Sequence, residues 1–401
     1  MTALGDQAWL TSSATRAVLA ALEAEGGPDC ARFVGGCVRN AILGAPVDDL
    51  DIATRLTPDQ VVKALKAAGL RVIPTGIDHG TVTALSERAP YEITTLRRDV
   101  ETDGRHATVA FTTDWAEDAA RRDFRLNALY ADASGAIHDP TGEGLADAEA
   151  GRIIFVGEAR QRIEEDYLRI LRFFRFHAWY GRGAMDEVAL AASTDLAEGV
   201  RTLSAERVSK EMLKLLAAPD PRGSVAMMAK TGVLQRVLGV APDLALFDAM
   251  VEISPDALLR LSALWPADPA VVEGRARALR LSNTERHRLV DAVKAPLSLK
   301  LTPHEARVLL YQVGAETFAD RVKRAMAAGD EAREGGRLLD MAADWVRPVM
   351  PIGGRDLSVF GIKPGPLTGQ ILKAFEAEWI AADFPEYGHQ ERLKALVDRL
   401  G

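Results

Sequence analysis

The pattern of the chain changes near residue 142, and this change restricts the folds open to it. Before that point, short runs rich in Val, Ile and Thr alternate with helical segments and are bounded by Gly, Pro and Asp, as strands are. Five strands are predicted there, at Ala31–Gly35, Leu50–Thr54, Arg71–Thr75, His79–Leu85 and Tyr91–Arg97. After it, apolar residues recur at helical spacing almost throughout. The pattern therefore predicts an α+β fold, with a mixed α/β region followed by an all-helical one.

The composition is that of an ordinary globular protein. Apolar residues make up 48% of the 401 and charged residues 26%, which excludes collagen, long disorder and a simple coiled coil. Cys30 and Cys37 are too few for a disulfide scaffold and are expected to be free thiols, as in a reducing cytosol. Neither a signal peptide nor an apolar run of about 18 residues is recognisable. A cytoplasmic location without membrane contact is expected.

Two glycines follow the first predicted strand in FVGGCVRN, residues 33–40. Gly35 and Gly36 allow backbone N–H groups to approach an anion at the positive end of the next helix. Arg39, in the first turn of that helix, could add a charge-assisted bond to phosphate. The glycine pair alone is a weak signal, and it gains value only from the acidic residues that come soon after it in the chain.

Two acidic residues lie two positions apart in the DDLDI run. Asp49 and Asp51 then point to one face of a strand, about 6–7 Å apart, whereas Asp48 points to the other. Such carboxylates repel unless a cation lies between them, and they suit Mg²⁺ bound together with substrate phosphates. If the YEITTLR strand is adjacent, Glu92 could complete a cluster for two metal ions. Solvated positions on a loop end and a strand surface are the alternatives.

Two further segments concentrate arginine. Residues 114–130, DWAEDAARRDFRLNALY, are expected to form a helix that ends in Arg121, Arg122 and Asp123. This Arg-Arg-Asp step, with Asn127, could grip a triphosphate and a ribose. Residues 162–181 place ion-forming side chains every three positions of a helix, at Asp166, Arg169, Arg172 and Arg175. A helix C-terminus with favourable cations and ion pairs on a solvated helix are the structural alternatives.

Together these segments resemble the class II CCA-adding enzymes, which are tRNA nucleotidyltransferases of the DNA polymerase β superfamily. The family patterns G-G-x-V-R-D with D-x-D, E-[IV]-T-T-[LF]-R, R-R-D-F-T-x-N-A and E-D-x-x-R correspond to GGCVRN with DLD, YEITTLR, RRDFRLNA and EDYLR. The neck motif corresponds to ERVSKEMLKLL, and the tail motifs correspond to GRDL and GIKPGPLTG. Asn40 stands where the family usually has Asp, and Arg125 stands where Thr is usual.

The resemblance implies a polymerase-β-like nucleotidyltransferase head with a mixed sheet, followed by helical neck, body and tail domains. The corresponding bounds are 1–140, 141–220, 221–345 and 346–401. It also implies template-independent, Mg²⁺-dependent addition of C, C and A from CTP and ATP to the 3′ end of tRNA, with release of pyrophosphate. No obligate protein partner is implied.

The resemblance also assigns roles to residues. Asp49 and Asp51 would hold Mg²⁺, and Glu92 would be a third catalytic carboxylate in a two-metal mechanism. Asp166 and Arg169 would read the base. The full set of nucleotide-binding residues would be Gly35, Gly36, Arg39, Arg122, Asp123, Asn127, Asp166, Arg169, Arg172 and Arg175.

Base selection by side chains is consistent with simple hydrogen bonding. Cytosine and adenine each present an amino donor beside a ring-nitrogen acceptor, which complements Asp166 and Arg169. Guanine and uracil invert this pattern and leave buried groups unpaired, which a polar site can reject by about 10⁴-fold.

The motifs leave other functions open. A poly(A) polymerase and a partial enzyme adding only CC or only A share them, whereas a non-catalytic RNA-binding homologue conflicts with the intact DxD. No GxGxxG follows the first strand, which excludes a dinucleotide-binding dehydrogenase. The polar segment Arg98–Thr112, with Asp103, Arg105 and His106, is expected to be a loop that could close over the site, or a plain surface loop.

The net charge of −8 would by itself argue against a polyanionic partner. The average conceals a basic segment, since residues 152–182 contain seven arginines against four carboxylates, a net charge of +3. Local basic strips therefore favour a salt-sensitive, non-sequence-specific grip on tRNA.

Overall fold

The computed structural model describes residues 3–76, 80–102, 107–329 and 332–400. They form two compact units, Met1–Ala241 and Pro242–Gly401, called unit 1 and unit 2 below. The division into head, neck, body and tail stays a prediction. Within the described residues, no helix has the length and apolar character needed to cross a bilayer.

Unit 1 contains a mixed sheet. The described strands are β1 Ala31–Val34, β2 Leu50–Thr54, β3 Arg71–Gly76, β4 Thr81–Ser86, β5 Ala89–Thr95, β6 Arg97–Thr102, β7 Ala107–Phe111, β8 Tyr130–Ala131 and β9 Ile137–His138. Seven of them form one sheet in the order β3-β4-β5-β2-β1-β8-β9, and β6 pairs with β7 separately. The β2–β5 pair is parallel and the other pairs are antiparallel. This mixed sheet confirms the predicted fold class.

The five predicted strands are present; Leu50–Thr54 has the predicted bounds, and the ends of the others differ by at most two residues. His79 lies outside the described residues. The segment predicted as a loop after Arg97 is different, because it contributes the paired strands β6 and β7. Residues 103–106, which include Asp103, Arg105 and His106, lie outside the described residues.

Helices accompany the sheet in unit 1 and are the main elements of unit 2. Those of unit 1 are α1 Ala8–Thr11, α2 Ser13–Gly26, α3 Gly36–Leu43, α4 Pro58–Ala67, α5 Trp115–Ala120, α6 Gly144–Ala150, α7 Ala159–Glu165, α8 Leu168–Tyr180, α9 Glu187–Asp195, α10 Ala205–Leu216, α11 Arg222–Lys230 and α12 Val233–Leu238. Short 3-10 turns occupy Arg125–Asn127 and Ala197–Thr202.

The described helices of unit 2 are α13 Leu244–Ile253, α14 Ala257–Ala263, α15 Pro269–Ala278, α16 Asn283–Val293, α17 Pro303–Val313, α18 Ala315–Ala328, α19 Ala332–Ala343, α20 Gly354–Ser358, α21 Pro366–Ala381 and α22 His389–Leu400. Beyond β9 the described residues contain no further strand. The prediction of a helical region after residue 142 is confirmed.

The sheet buries one face and leaves the other open near the ends of β2 and β5. Along β5 the buried Tyr91 and Ile93 flank the exposed Glu92, as the period of two in a strand requires. The Tyr91 hydroxyl lies 3.0 Å from Oγ1 of Thr15 on α2, so the buried face packs against this helix. Glu92 consequently projects from the opposite, accessible face of the sheet.

Candidate active site

The predicted acidic residues converge at neighbouring strands. β2 and β5 pair in parallel with Asp51 directly opposite Glu92, so both side chains point to the same face of the sheet. Asp49 lies two positions earlier, just before β2, and is exposed like Asp48. The adjacency on which the three-carboxylate prediction depended is therefore present.

The electrostatics of Asp51 reflect this crowding. Burial raises the pKa of its carboxyl to about 6, and the negative charges of Glu92 and Asp49 add to the rise while Arg122 opposes it. A divalent cation would relieve the repulsion. Among the described residues, no group of three or more His, Cys, Asp or Glu side chains is arranged to hold a metal ion. Mg²⁺ is typically bound by only one or two protein carboxylates, and substrate phosphates complete its coordination.

The glycine pair opens helix α3. Gly35 precedes the helix with a φ of +72°, a conformation that favours glycine. A Cβ at this position would lie 3.6 Å from Nη1 of Arg122. The predicted anion-binding turn and the predicted triphosphate arginine therefore lie side by side.

Arg39 is buried rather than presented to solvent. Its Nη1 donates to Oδ1 of Asn127 at 2.5 Å, and its Nη2 donates to the hydroxyl of Tyr180 at 2.8 Å. Asn40 accepts from its Nε and Nη2 at 3.2 and 2.8 Å, and Nδ2 of Asn40 donates to the carbonyl of Pro46 at 2.7 Å. An Asp at position 40 could accept from Arg39 but could not donate to Pro46.

A buried carboxylate, which the sequence analysis did not single out, orients the two arginines of the RRDFRLNA motif. Asp118 on α5 accepts from Nε of Arg121 at 2.9 Å, from Nη2 of Arg122 at 2.9 Å and from the hydroxyl of Tyr130 at 2.7 Å. Burial alone would raise its pKa, but Arg122, Arg121 and Tyr130 lower it to about 2. Asp118 therefore holds both arginines in place as an ionised group.

Replacement of Asp118 by Asn is expected to lower the free energy of unfolding by about 3 kcal/mol at pH 7, because two arginines lose their buried partner. The folded-state pKa lies below the usual value near 3.9, so this stabilisation is present above pH 4 and is lost as the pH falls towards 2. Urea unfolding of wild type and variant at several pH values measures both effects.

The control is Asp114→Asn on the same helix. Asp114 caps α5 by accepting from the backbone N–H of Ala116, and Asn caps a helix about as well. This variant should unfold like the wild type. An Asp118→Asn protein with unchanged stability and pH dependence would contradict the orienting role.

A strongly basic cavity of about 440 Å³ lies among these residues in unit 1. Six arginines line it against two aspartates and one leucine. The lining residues are Arg97, Arg121, Arg122, Asp123, Asp166, Leu168, Arg169, Arg172 and Arg207. Such an excess of guanidinium groups suits a polyphosphate, with which arginine forms charge-assisted bonds. Five of the predicted nucleotide-binding residues meet here, and the others lie around it.

The E-D-x-x-R segment lies at the junction of α7 and α8. Glu165 pairs with Arg162 and, at 2.6 Å, with Nη1 of Arg169. Asp166 accepts from Nη2 of Arg207 on α10 at 2.6 Å and from the backbone N–H of Leu168 at 3.1 Å. Both side chains predicted to read the base are thus held by protein partners at the cavity wall.

The next two arginines along α8, Arg172 and Arg175, bond to Asp123 and Glu211. Arg172 donates from Nε to Asp123 at 2.8 Å, and Nδ2 of Asn127 donates to the same carboxylate at 3.0 Å. Burial raises the pKa of Asp123, but Arg172 and these hydrogen bonds bring it below its usual value. Arg175 donates to the buried Glu211 at 2.5 Å and is not part of the cavity lining.

Sequence reasoning missed several cavity residues. Arg97 ends the YEITTLR segment and Arg207 lies within ERVSKEMLKLL, so both were inside quoted motifs without an assigned role. Arg121, by contrast, belongs to the predicted Arg-Arg-Asp step, and both it and Arg122 face Asp118. The unusual Arg125 pairs with Glu143 of the segment before α6 and lies 3.7 Å from Asp147. Neither of these two partners is a predicted metal ligand.

Comparisons with known proteins agree with this arrangement. Residues 31–154 match a family model described as the Poly A polymerase head domain. Residues 184–247 match one described as the probable RNA and SrmB-binding site of polymerase A. The first match includes the sheet and the predicted metal ligands.

Curated relatives align over most of the chain. The mitochondrial CCA tRNA nucleotidyltransferase 1 of Mus musculus is 34% identical over 362 residues, which cover 87% of this chain and 82% of the mouse protein. The CCA-adding enzyme of Lacticaseibacillus paracasei is 31% identical, covering 88% and 89%. The solved Bacillus stearothermophilus CCA-adding enzyme in complex with CTP has a TM-score of 0.76 at 25% identity, covering 96% of each chain.

Proposed function

The chain belongs to the family of CCA-adding tRNA nucleotidyltransferases, and on that premise we propose that it adds C, C and A to the 3′ end of tRNA. CTP and ATP would be the substrates and pyrophosphate the second product. The relatives' names and the CTP-bound relative support this choice over a poly(A) polymerase or a partial enzyme.

The basic cavity is the observation that carries the proposal. It brings Asp166 and Arg169, which suit the amino and ring-nitrogen edge of C and A, within one wall of a six-arginine pocket. Arg122 lies both at this pocket and near the proposed metal site, because it borders Gly35 and its positive charge opposes the rise in the pKa of Asp51. A nucleoside triphosphate bound there would extend from its base near α8 to its phosphates near β2.

We propose that Asp49 and Asp51 hold a divalent cation, Mg²⁺ in particular, with Glu92 beside them. Nucleotidyltransferases of the polymerase β type generally use divalent metals, and the raised pKa of Asp51 is consistent with carboxylates whose repulsion a cation would relieve. When bound, Mg²⁺ supplies charge stabilisation to the phosphates and lowers the pKa of a coordinated hydroxyl. A two-metal mechanism is part of the proposal.

The chain's own residues would position the substrate and neutralise its charge. Phosphoryl transfer depends mainly on these two effects, and Arg122 with Arg172 would contribute positive charge beside the triphosphate. The 3′-hydroxyl of tRNA would attack the α-phosphate in line while pyrophosphate leaves. Asp166 would accept from the base amine, and Arg169 would donate to the ring nitrogen.

The finer organisation is also a proposal. We assign a head at 1–140, a neck at 141–220, a body at 221–345 and a tail at 346–401, with the cavity formed by head and neck residues of unit 1. We also propose a cytoplasmic location, a reducing compartment in which the two buried cysteines stay free thiols.

Purified protein supplied with Mg²⁺, CTP and ATP is expected to extend a tRNA that lacks its 3′ end by C, C and A in that order. The reason is a site that accepts only bases with an amino donor beside a ring-nitrogen acceptor, in a family that stops after three additions. Sequencing of the extended tRNA measures the product.

Reactions with CTP alone and with ATP alone are the controls. The first should stop after two additions, and the second should add nothing to a tRNA that lacks all three nucleotides. Long A tails, or no incorporation of C, would contradict the CCA assignment.

A further inference from the structure

Helix α18 of unit 2 carries two buried arginines that have no acidic partner. Arg321 and Arg324 are 8% and 7% exposed, although arginines are seldom buried so fully unless an opposite charge accompanies them. In the described part of the chain, neither guanidinium bonds to a carboxylate. On the same helix, Asp320 pairs with Arg288 at 2.7 Å, which is the usual arrangement. Arg321 and Arg324 therefore have no counterion among the described residues.

Backbone carbonyls hold the two arginines in place. Nη1 of Arg324 donates to the carbonyl and the hydroxyl of Ser262 at 2.6 and 3.2 Å, and its Nη2 donates to the carbonyl of Trp265 at 3.3 Å. Nε of Arg321 donates to the carbonyl of Asp291 at 2.7 Å. A guanidinium has five N–H donors. The two terminal nitrogens of Arg321 thus keep their N–H groups without an acceptor among the residues that the structure describes.

The surroundings of Arg324 disfavour its charge. Burial lowers the pKa of its guanidinium, and the negative charge of Asp243 opposes this fall. A lowered pKa means that the charged form is less stable here than in water. Because arginine stays protonated in proteins, the positive charge persists, and an added anion would stabilise it.

Both arginines line a cavity of about 300 Å³ within unit 2. Its other described lining residues are five alanines, Val293, Pro296, Leu297 and Gly329, so no carboxylate is among them. Small-molecule sites combine mostly apolar walls with a few polar groups, and this volume lies at the lower end of their range. The cavity therefore suits a small ligand that is apolar over most of its length and negatively charged at one end.

We propose that this cavity binds a small monocarboxylate that carries an apolar chain. The carboxylate accepts two bonds from the terminal nitrogens of Arg321, the paired geometry that a guanidinium provides, and Arg324 adds positive charge. The chain lies against the alanines, where each buried CH₂ raises affinity by about 4-fold. A polyphosphate, which suits the six-arginine cavity of unit 1, would here place unpaired oxygens against alanine side chains. The inference goes beyond the proposed function and does not depend on it.

Octanoate is the probe, and isothermal titration calorimetry of the full chain without nucleotide or tRNA measures its binding. We expect one octanoate per chain, bound about 10-fold more tightly than hexanoate, which is two CH₂ groups shorter. It should bind at least 10-fold more tightly than octanol, which has the chain without the charge. Undetectable binding of octanoate, or equal affinity for octanol, would overturn the proposal. Displacement of octanoate by an equal concentration of inorganic phosphate would show a phosphate site instead and would overturn it as well.

Arg321→Gln removes the proposed carboxylate ligand and should lower the affinity for octanoate by at least 10-fold. Arg321→Lys keeps the charge without the planar pair of donors, so its affinity should be intermediate. The matched control is Arg277→Gln, because Arg277 is an exposed arginine of unit 2 that pairs with Glu273 at 2.6 Å. It should bind octanoate like the wild type. Unchanged affinity in Arg321→Gln, or an equal loss in Arg277→Gln, would overturn the proposal.

Ala325→Leu tests the cavity itself. Ala325 is a half-buried lining residue of α18, so a leucine there occupies the space of the proposed chain while both arginines remain. Ala328→Leu adds the same side chain at an exposed lining position one turn later, where it disturbs folding less. Each should weaken octanoate binding by at least 10-fold, with the Tm reporting whether the variant is folded. Wild-type affinity in a folded variant of either kind would overturn the proposal.

Discussion

Replacement of Asp51 by Asn is expected to lower the rate of nucleotide addition by about 10³-fold or more. Asn has nearly the same shape, so the change removes a negative charge from the face that Asp51 shares with Glu92. Phosphoryl transfer depends on charge stabilisation at the reacting phosphate, and a site with one fewer carboxylate holds a divalent cation less tightly. Single-turnover addition of one C to a tRNA lacking its 3′ end, measured over a range of Mg²⁺ concentrations, tests the effect.

The neighbouring acidic residues provide the comparison. Asp49→Asn should cause a loss of similar size, because Asp49 is proposed to hold the cation together with Asp51. Asp48→Asn should retain near-normal activity, since the alternation of an extended chain would direct its side chain away from that of Asp49. A near-normal rate in Asp51→Asn, or an equal loss in Asp48→Asn, would remove Asp51 from the proposed metal site.

Local signals made the catalytic strand predictable. The run at Leu50–Thr54 begins with alternating apolar and acidic residues and contains the β-branched Ile52 and Thr54, and the observed strand has the predicted bounds. Because successive side chains of a strand point to opposite faces, the sequence also predicted that Asp51 points away from the face of Leu50 and Ile52, without knowledge of the neighbouring strands. Whether Asp51 lies beside Glu92 depends on the order of the strands in the sheet, which the sequence left open. The structure shows that β2 and β5 are neighbours and pair in parallel.

Partners between distant elements could not be predicted. Arg207 acts through Asp166, which lies 41 residues earlier, and nothing in its local pattern distinguishes it from a surface charge. Asp118 pairs with Arg121 and Arg122 at a helical spacing that the sequence contains, but its burial and its bond from Tyr130 depend on packing between elements. The arginine stripe of α8 shows the same limit. Each step of three residues turns about 60° around a helix, so Arg175 lies about 120° from Arg169 and faces Glu211 instead of the cavity.

Replacement of Asp166 by Ala is expected to reduce the preference for CTP over UTP by about 100-fold. In the wild type the carboxylate would accept from the amine of cytosine and repel the carbonyl of uracil, so the change weakens correct binding and relieves incorrect binding together. The ratio of kcat/KM for the two nucleotides, measured on one tRNA, reports this loss directly. Mg²⁺ dependence should stay as in the wild type.

Asp166→Asn distinguishes hydrogen-bond readout from a general effect of lost charge. An amide can turn its NH₂ group towards a carbonyl, so this variant should accept UTP better than Asp166→Ala does. Asp195→Ala is the control, because Asp195 is an exposed aspartate in unit 1 that pairs with Arg160 at 3.2 Å. It should keep wild-type preference. If all three variants select CTP like the wild type, base selection does not depend on Asp166, and the pairing of Asp166 with Arg207 is structural only.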